Sequence, residues 1–206
     1  MDADNLDIRI SAASLNKICF DDRYLLILNK NRLEKGDTVY TPVGGAIKVD
    51  NEGKKYLAQL GANFEDDNDL RLSIPKYNLP KFEEWFRKRE NRETSPFREL
   101  EEELVKESGL LNSLSKKDVE FYYLGNYQMK ETTDRTGHEG EETLRYLEVY
   151  YTLLSDEKKK EILNKVEKND LVSLVTKEEI MNGMMKDGIL IGSNALPLII
   201  QYNTDF

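Results

Sequence analysis

Two patterns of hydrophobic and polar positions alternate along this chain and together predict a mixed fold. Short apolar runs and period-two alternation, which are typical of strands, occur at residues 23–30, 69–74, 119–131 and 144–154. Apolar residues at helical spacing occur at residues 79–89, 97–104 and 155–168. Interleaved strands and helices of this kind predict one domain of the α/β (α+β) class.

Length and charge narrow the class of protein. With 206 residues, a single domain over residues 1–206 is expected, and it is long enough to bury a core. The net charge of −9 argues against long nucleic acid as the main partner, but a small phosphorylated ligand carried with its own metal ion is compatible. No apolar run reaches the roughly 18 residues of a membrane span, and the start of the chain lacks signal-peptide features. The single cysteine, Cys19, suits a reducing compartment, so a cytoplasmic protein without membrane contact is expected.

The most informative stretch is an acidic helix around residues 98–104. On a helix, Glu99, Glu102 and Glu103 share one exposed stripe that lies beside an apolar stripe. Three neighbouring carboxylates repel one another unless something positive lies nearby. One interpretation is a solvated surface on which Lys106 supplies the positive charge. The other is a binding site for Mg²⁺, which prefers carboxylate oxygen.

The spacing of these residues resembles the Nudix box. Arg98-Glu99-Leu100 and Glu102-Glu103 match the pattern Arg-Glu-aliphatic-x-Glu-Glu, and Glu90 stands eight positions before the arginine, where the pattern has a further glutamate. The order of a Gly-Gly strand, DLR, FxxWF and this box is similar to the Nudix-like domains found beside bacterial anti-phage nucleotidyltransferases, the SMODS systems. The resemblance implies a Nudix-like α/β/α sandwich with a mixed central sheet and a role in antiviral defence.

The box departs from the pattern at both ends. Residues 104–108 separate the Glu-Glu pair from the Gly-Leu pair that follows, where the pattern has one residue, so a helix about one turn longer is expected. Upstream, Glu84 takes the place of the pattern's glycine, and the Gly-Gly pair stands instead at Gly44 and Gly45. An insertion over roughly residues 49–88 would therefore split the box.

The resemblance implies a metal site built around the box. Glu99, Glu102 and Glu103 would bind Mg²⁺, with Mn²⁺ as an alternative, together with the carbonyl of Gly44. A carboxylate not occupied by the metal would take the proton of the attacking water. Glu102 and Glu103 are both candidates for that role, with Glu99 as the most committed ligand.

Arg98 would support the chemistry without reacting. In Nudix proteins the box arginine pairs with the upstream glutamate and so orients the loop. Glu90 stands at the expected spacing, but Glu93 competes for the role because Glu-Thr followed by proline resembles the start of many boxes. The sequence leaves both partners open.

Four residues outside the helix are expected to contact the substrate, namely Gly45, Lys48, Arg71 and Glu142. Arg71 would clamp a phosphate or, as the alternative, pair with an acid between residues 65 and 69. Glu142 ends a polar loop, residues 132–142, from which Nudix enzymes often take another carboxylate as metal ligand or base. A solvated loop is the alternative there.

The residues by themselves predict only a metal ion and a phosphate group, and the resemblance implies a Nudix-type pyrophosphohydrolase that acts on phosphoric anhydrides. The resemblance supplies the substrate class: a nucleoside triphosphate cut to the monophosphate and pyrophosphate, a dinucleotide, or an ADP-ribose-like compound. One alternative is a Nudix-like domain that senses a nucleotide without cutting it, and another is an interaction protein whose acidic helix is simply solvated. Nudix proteins are frequently dimers, so the resemblance allows a homodimer, and the sequence leaves the oligomeric state open.

Overall fold

The computed structural model describes residues 6–202 and groups the chain into two compact units. Among the described residues, unit 1 consists of residues 6–14, Gly45–Ser95 and Asn126–Glu148, and unit 2 consists of Leu15–Gly44, Pro96–Gly125 and residues 149–202. The insertion expected at roughly residues 49–88 falls within unit 1. The expectation of one domain over residues 1–206 stays a prediction.

Strands and helices are interleaved along the chain. The strands are β1 (Asp7–Lys17), β2 (Cys19–Phe20), β3 (Arg23–Leu28), β4 (Val39–Ala46), β5 (Asn63–Phe64), β6 (Arg71–Pro75), β7 (Val119–Thr132), β8 (Glu142–Leu154), β9 (Val172–Thr176) and β10 (Leu190–Ile191). The α-helices are α1 (Lys30–Glu34), α2 (Asn51–Gln59), α3 (Leu79–Lys88), α4 (Phe97–Glu101), α5 (Asp156–Val166) and α6 (Lys177–Asn182). A π-helical segment, Glu102–Glu107, follows α4 directly. Within residues 6–202, no helix combines the length and the apolar character needed to cross a bilayer.

Unit 1 is built on antiparallel strands. β6 pairs with the first half of β1, which places Arg9 opposite Ser73 and Ile10 opposite Leu72, and β5 pairs with β6. Side chains of a strand alternate between its two faces. Ile10 and Leu72 therefore face the hydrophobic core of the unit, and Arg9 and Ser73 lie on the opposite, polar face.

Helix α3 packs an aromatic face into the core of unit 1. Phe82, Trp85 and Phe86 stand at i, i+3 and i+4, and each is buried. The Phe82 ring lies 5.9 Å from both the Trp85 and the Phe86 ring. Because these three rings are buried against one another, they form part of the core and do not offer a surface on which a base could stack.

Unit 2 is organised around β3. This strand pairs in antiparallel fashion with β2, β4 and β9, whereas β10 pairs with β4 in parallel. The core of the unit comprises Ile18, Phe20, Leu25, Val43, Leu100, Leu104, Leu110, Leu111, Leu114, Val119, Leu154, Ile162, Val166 and Val172. The sheet is thus mixed but largely antiparallel and is accompanied by helices, which confirms the α+β fold class.

Four strands, β1, β4, β7 and β8, contribute residues to both units. β8 pairs with β1 and with β7. β1 is not among the strand runs predicted from the sequence. In β4, a proline such as Pro42 would ordinarily interrupt the hydrogen-bond ladder. The strand instead continues through this position, with Pro42 opposite Leu26 of β3.

Candidate active site

The acidic residues lie on a helix whose second half is π-helical. α4 begins after Pro96, whose carbonyl accepts the N–H of Leu100 at 3.0 Å. Leu100 and Leu104 are fully buried and anchor the helix in the core of unit 2. In the π-helical segment, the Ser108 N–H donates to the Glu103 carbonyl at 2.9 Å, five residues back. The helix is longer than the box pattern requires, as expected, but the extra residues are accommodated in a π turn.

Arg98 supplies positive charge to two of the box glutamates. Its guanidinium contacts the Glu99 carboxylate directly, and its Nη1 lies 3.5 Å from Oε2 of Glu102. The Glu99 side chain is 14% exposed and the Glu102 side chain is 44% exposed, so Glu99 is the more enclosed of the two. Arg98 is therefore an immediate neighbour of two expected metal ligands, and its pairing with Glu90 or Glu93 stays a prediction.

Lys106 does not neutralise the stripe formed by Glu102 and Glu103. Its Nζ lies 3.5 Å from the Glu101 carboxylate. Positions five apart do not share a face on an α-helix, but they come together in a π turn because its hydrogen bonds join residues five apart. The π turn thus changes which acid Lys106 meets.

The Glu103 carboxylate is held against the glycine pair of β4. Its Oε2 accepts a hydrogen bond from the Gly44 N–H at 2.5 Å. Burial raises the pKa of Glu103 well above its ordinary value, and the negative charges of Glu99, Glu107 and Glu102 raise it further against the opposing Gly44 hydrogen bond. Within residues 6–202, no lysine or arginine lies within ion-pair distance of this carboxylate.

These residues suit Mg²⁺ by their chemistry, although their carboxylates do not converge. Mg²⁺ prefers oxygen ligands, and a cation would relieve the negative charge that raises the pKa of Glu103. In the part of the chain that the structure describes, no group of three or more His, Cys, Asp or Glu side chains is placed to hold a metal ion. Glu99, Glu102 and Glu103 would therefore have to move their side chains to complete a site.

Lys48 and Arg71, which were expected to face phosphates, meet at one carboxylate of unit 1. Lys48 Nζ lies 3.2 Å from Asp69, and Arg71 Nη1 donates to Asp69 at 2.5 Å and to Asp66 at 3.2 Å. The backbone N–H of Lys48 also donates to the Glu93 carboxylate at 3.2 Å. Arg71 therefore pairs with nearby acids, which was the alternative left open for it. A phosphate would have to compete with Asp69 for this arginine.

The remaining expected residues of unit 1 are more dispersed. Glu142 forms an exposed ion pair with Lys130, 2.6 Å from Nζ to carboxylate. Glu90 follows α3 and is exposed, and Gly45 is partly buried within β4. Their contacts with a substrate stay predictions.

A comparison with protein families identifies the family of this chain. A family model described as the SMODS-associated NUDIX domain matches residues 7–199 of this chain. The chain belongs to this family. No curated protein and no solved structure matches it significantly. The Nudix resemblance and its SMODS branch are therefore confirmed, and the match extends through the expected insertion of this NUDIX domain.

Sequence reasoning missed Ser108 in this NUDIX domain. The Ser108 hydroxyl donates to the Glu103 carbonyl at 2.7 Å, so that oxygen receives two hydrogen bonds from one residue. Two signals were available: the surplus residues before Gly109, and a serine, which readily bonds to nearby backbone, at the helix end. Neither signal specifies a π turn.

Proposed function

We propose that this NUDIX domain is a Mg²⁺-dependent hydrolase of nucleoside diphosphate-linked compounds, with a nucleoside triphosphate, cut to the monophosphate and pyrophosphate, as the leading substrate. The supporting observation is the Glu103 carboxylate, which is tied to Gly44 beside Glu99 and Glu102 and has no cationic partner within residues 6–202. Such unbalanced carboxylates suit a cation that in turn binds phosphate oxygens. The family's association with SMODS systems supports a place in bacterial antiviral defence.

Each box residue has a proposed task. Glu99 and Glu103 would hold Mg²⁺, which would supply positive charge to the phosphate oxygens. The Gly44 N–H fixes Oε2 of Glu103. Oε1 of Glu103 has no hydrogen bond within residues 6–202 and so is available to a cation, whereas the more exposed Glu102 would take the proton of the attacking water. Arg98 would keep the carboxylates of Glu99 and Glu102 close together.

The test is pyrophosphate and phosphate release from a panel of nucleoside triphosphates, ADP-ribose and dinucleotides in Mg²⁺. Glu102→Gln should lower the rate by about 10²-fold or more, since it removes a charge from the metal and proton-transfer site. Glu101→Gln is the matched control, because Glu101 lies on the same helix but pairs with Lys106. It should keep the wild-type rate.

Two results would remove the hydrolase proposal. One is the same rate of release in the wild type, Glu102→Gln and Glu101→Gln. The other is a calorimetric titration in which the wild type binds neither Mg²⁺ nor Mn²⁺.

A nucleotide sensor is the second candidate, and one observation favours it. Arg98 already occupies the space beside Glu99 and Glu102, and the described carboxylates do not converge on a metal position. A domain of this kind would hold its nucleotide intact. Recovery of a bound nucleotide unchanged after long incubation with Mg²⁺ would favour the sensor over the hydrolase.

A further inference from the structure

Unit 1 contains a cavity of about 790 Å³. Ligand pockets typically span roughly 300–1,000 Å³, so this one has room for a small organic molecule. Its walls come from the start of β1, from β5 and β6 of the insertion, and from the end of β7, the start of β8 and the loop between them. Glu142 is the one lining residue with an expected role in hydrolysis.

A row of polar side chains crosses the wall of this cavity. Ser73 stands opposite Arg9 on one side and opposite Asn63 on the other. Directly opposite residues project to the same face of a sheet, with neighbouring strands about 4.8 Å apart. An amide, a hydroxyl and a guanidinium therefore line up over about 10 Å. Such a row can both donate hydrogen bonds to a ligand and accept them from it.

Arg9 is the buried end of this row. Its side chain is 5% exposed, and it donates from Nη1 to Thr143 and from Nη2 to Glu65, both at 2.8 Å. Its Nε lies 2.7 Å from the other oxygen of Glu65. A guanidinium carries five N–H donors, so at least two remain without a partner within residues 6–202. Buried donors of this kind cost free energy unless a ligand or water accepts from them.

The charges around the cavity nearly cancel. Glu65 is shared by Arg9 and by Arg135, and Arg135 also pairs with Asp66, so these two cations and two carboxylates balance one another. The Lys130–Glu142 ion pair is neutral as well. The other charged side chains of the lining are Asp7, Glu141 and Lys76. A lining with one carboxylate in excess does not favour a phosphate dianion, whereas a neutral ligand meets no such repulsion.

Apolar side chains complete the wall. Leu6 is 66% exposed although it is a large hydrophobic residue, and Ile8 and Leu144 are partly buried beside it. A ligand that covered Leu6 would remove this apolar surface from water. The cavity therefore combines a surface for a flat apolar ring with hydrogen-bonding groups for its edge.

We propose that this cavity binds an unphosphorylated nucleoside, independently of metal and of the proposed hydrolysis. The edge of the base would meet Asn63 and Ser73, and a face of the base would cover Leu6. The hydroxyls of the ribose would donate to the Glu141 carboxylate, which lines the same cavity. The insertion, through β5 and β6, thus contributes a binding site to the domain.

Calorimetric titration of the full chain with adenosine, guanosine, cytidine and uridine, in EDTA, tests this proposal. At least one nucleoside should bind, its 5′-monophosphate should bind more weakly, and ribose alone should not bind. Asn63→Ala should weaken nucleoside binding by about tenfold, the equivalent of one or two lost hydrogen bonds. The matched control is Asn68→Ala, since Asn68 is also exposed in unit 1 but does not line the cavity, and it should bind as the wild type does.

Three outcomes would overturn the nucleoside site: no binding of any of the four nucleosides at about millimolar concentration, tighter binding of the monophosphate, or equal losses in Asn63→Ala and Asn68→Ala. Glu102→Gln separates this proposal from the hydrolase proposal. Because the titration excludes metal, this variant should bind the nucleoside as the wild type does, whether or not it has lost hydrolysis.

Discussion

Replacement of Ser108 with alanine removes a hydrogen bond that holds the π-helical segment at Glu103. The Ser108 hydroxyl donates to the Glu103 carbonyl at 2.7 Å, and the Ser108 N–H donates to the same oxygen at 2.9 Å. The N–H bond remains, but alanine also removes two weaker contacts of the hydroxyl, which lies 3.4 Å from the Leu104 carbonyl and accepts the Leu110 N–H at 3.4 Å. The short bond to Glu103 dominates, so the expected loss is about 1 kcal/mol of unfolding free energy. If the segment then relaxes toward α-helical bonding, Glu103 turns away from Gly44. A loss of about 1 kcal/mol in the free energy of Mn²⁺ binding would lower the affinity about fivefold.

Urea unfolding and Mn²⁺ titration of the same variants separate positioning from general destabilisation. Ser155→Ala is the matched control: the Ser155 hydroxyl caps α5 by accepting the Lys158 N–H, and its loss costs about 1 kcal/mol without touching Glu103. Ser108→Thr keeps the hydroxyl and should restore metal affinity. Equal Mn²⁺ affinities in Ser108→Ala and Ser155→Ala would refute this positioning role of Ser108.

Three further perturbations follow from buried charges and close packing. In EDTA, the free energy of unfolding should fall as pH rises. The fall begins near pH 4.3, the pKa of a glutamate in the unfolded chain, and ends above the raised pKa of Glu103 in the folded protein. Between these two pKa values the folded state keeps a proton that the unfolded state has released. Urea midpoints between pH 5 and 8 measure this, and a Glu103→Gln profile as steep as the wild type's would contradict it. Glu148→Gln should cost about 3–5 kcal/mol in chemical denaturation, since Glu148 and Arg92 are both buried and lie 2.7 Å apart, whereas an unchanged midpoint would mean that the pair adds nothing. Gly53→Ala should lower the thermal midpoint, because the new Cβ would lie 2.4 Å from the Asn91 carbonyl oxygen. This clash should outweigh the helix propensity of alanine, which is about 1 kcal/mol better than that of glycine. A raised midpoint would show that the backbone shifts to accommodate the methyl group.

Residues close together in the sequence account for what could be predicted. The spacing of Phe82, Trp85 and Phe86 indicated one helical face, and this face is buried in the core of unit 1. The spacing of Glu99 and Glu102 in the box likewise indicated a shared stripe, and both carboxylates meet Arg98. Such predictions succeed because helical geometry relates residues three and four apart without reference to the rest of the fold.

Partner choice among like charges could not be predicted. Arg71 had several nearby acids of equal charge, and only the hairpin geometry selects Asp69 and Asp66. Lys106 was expected beside Glu102 and Glu103 and instead meets Glu101, since a π turn replaces the α-helical spacing. Ion pairs of this kind depend on ångström-scale placement, which periodicity does not supply.

The sequence by itself determined the family, the fold class and the acidic helix, because these follow from the order and spacing of residues within short segments. Only the tertiary structure decided that Gly44 meets Glu103 through its N–H and that the charge of this carboxylate has no cationic partner within residues 6–202. It also decided that Arg9, Ser73 and Asn63 form one row beside a cavity. These contacts join residues far apart along the chain, so strand register and burial select them, and no local pattern encodes either.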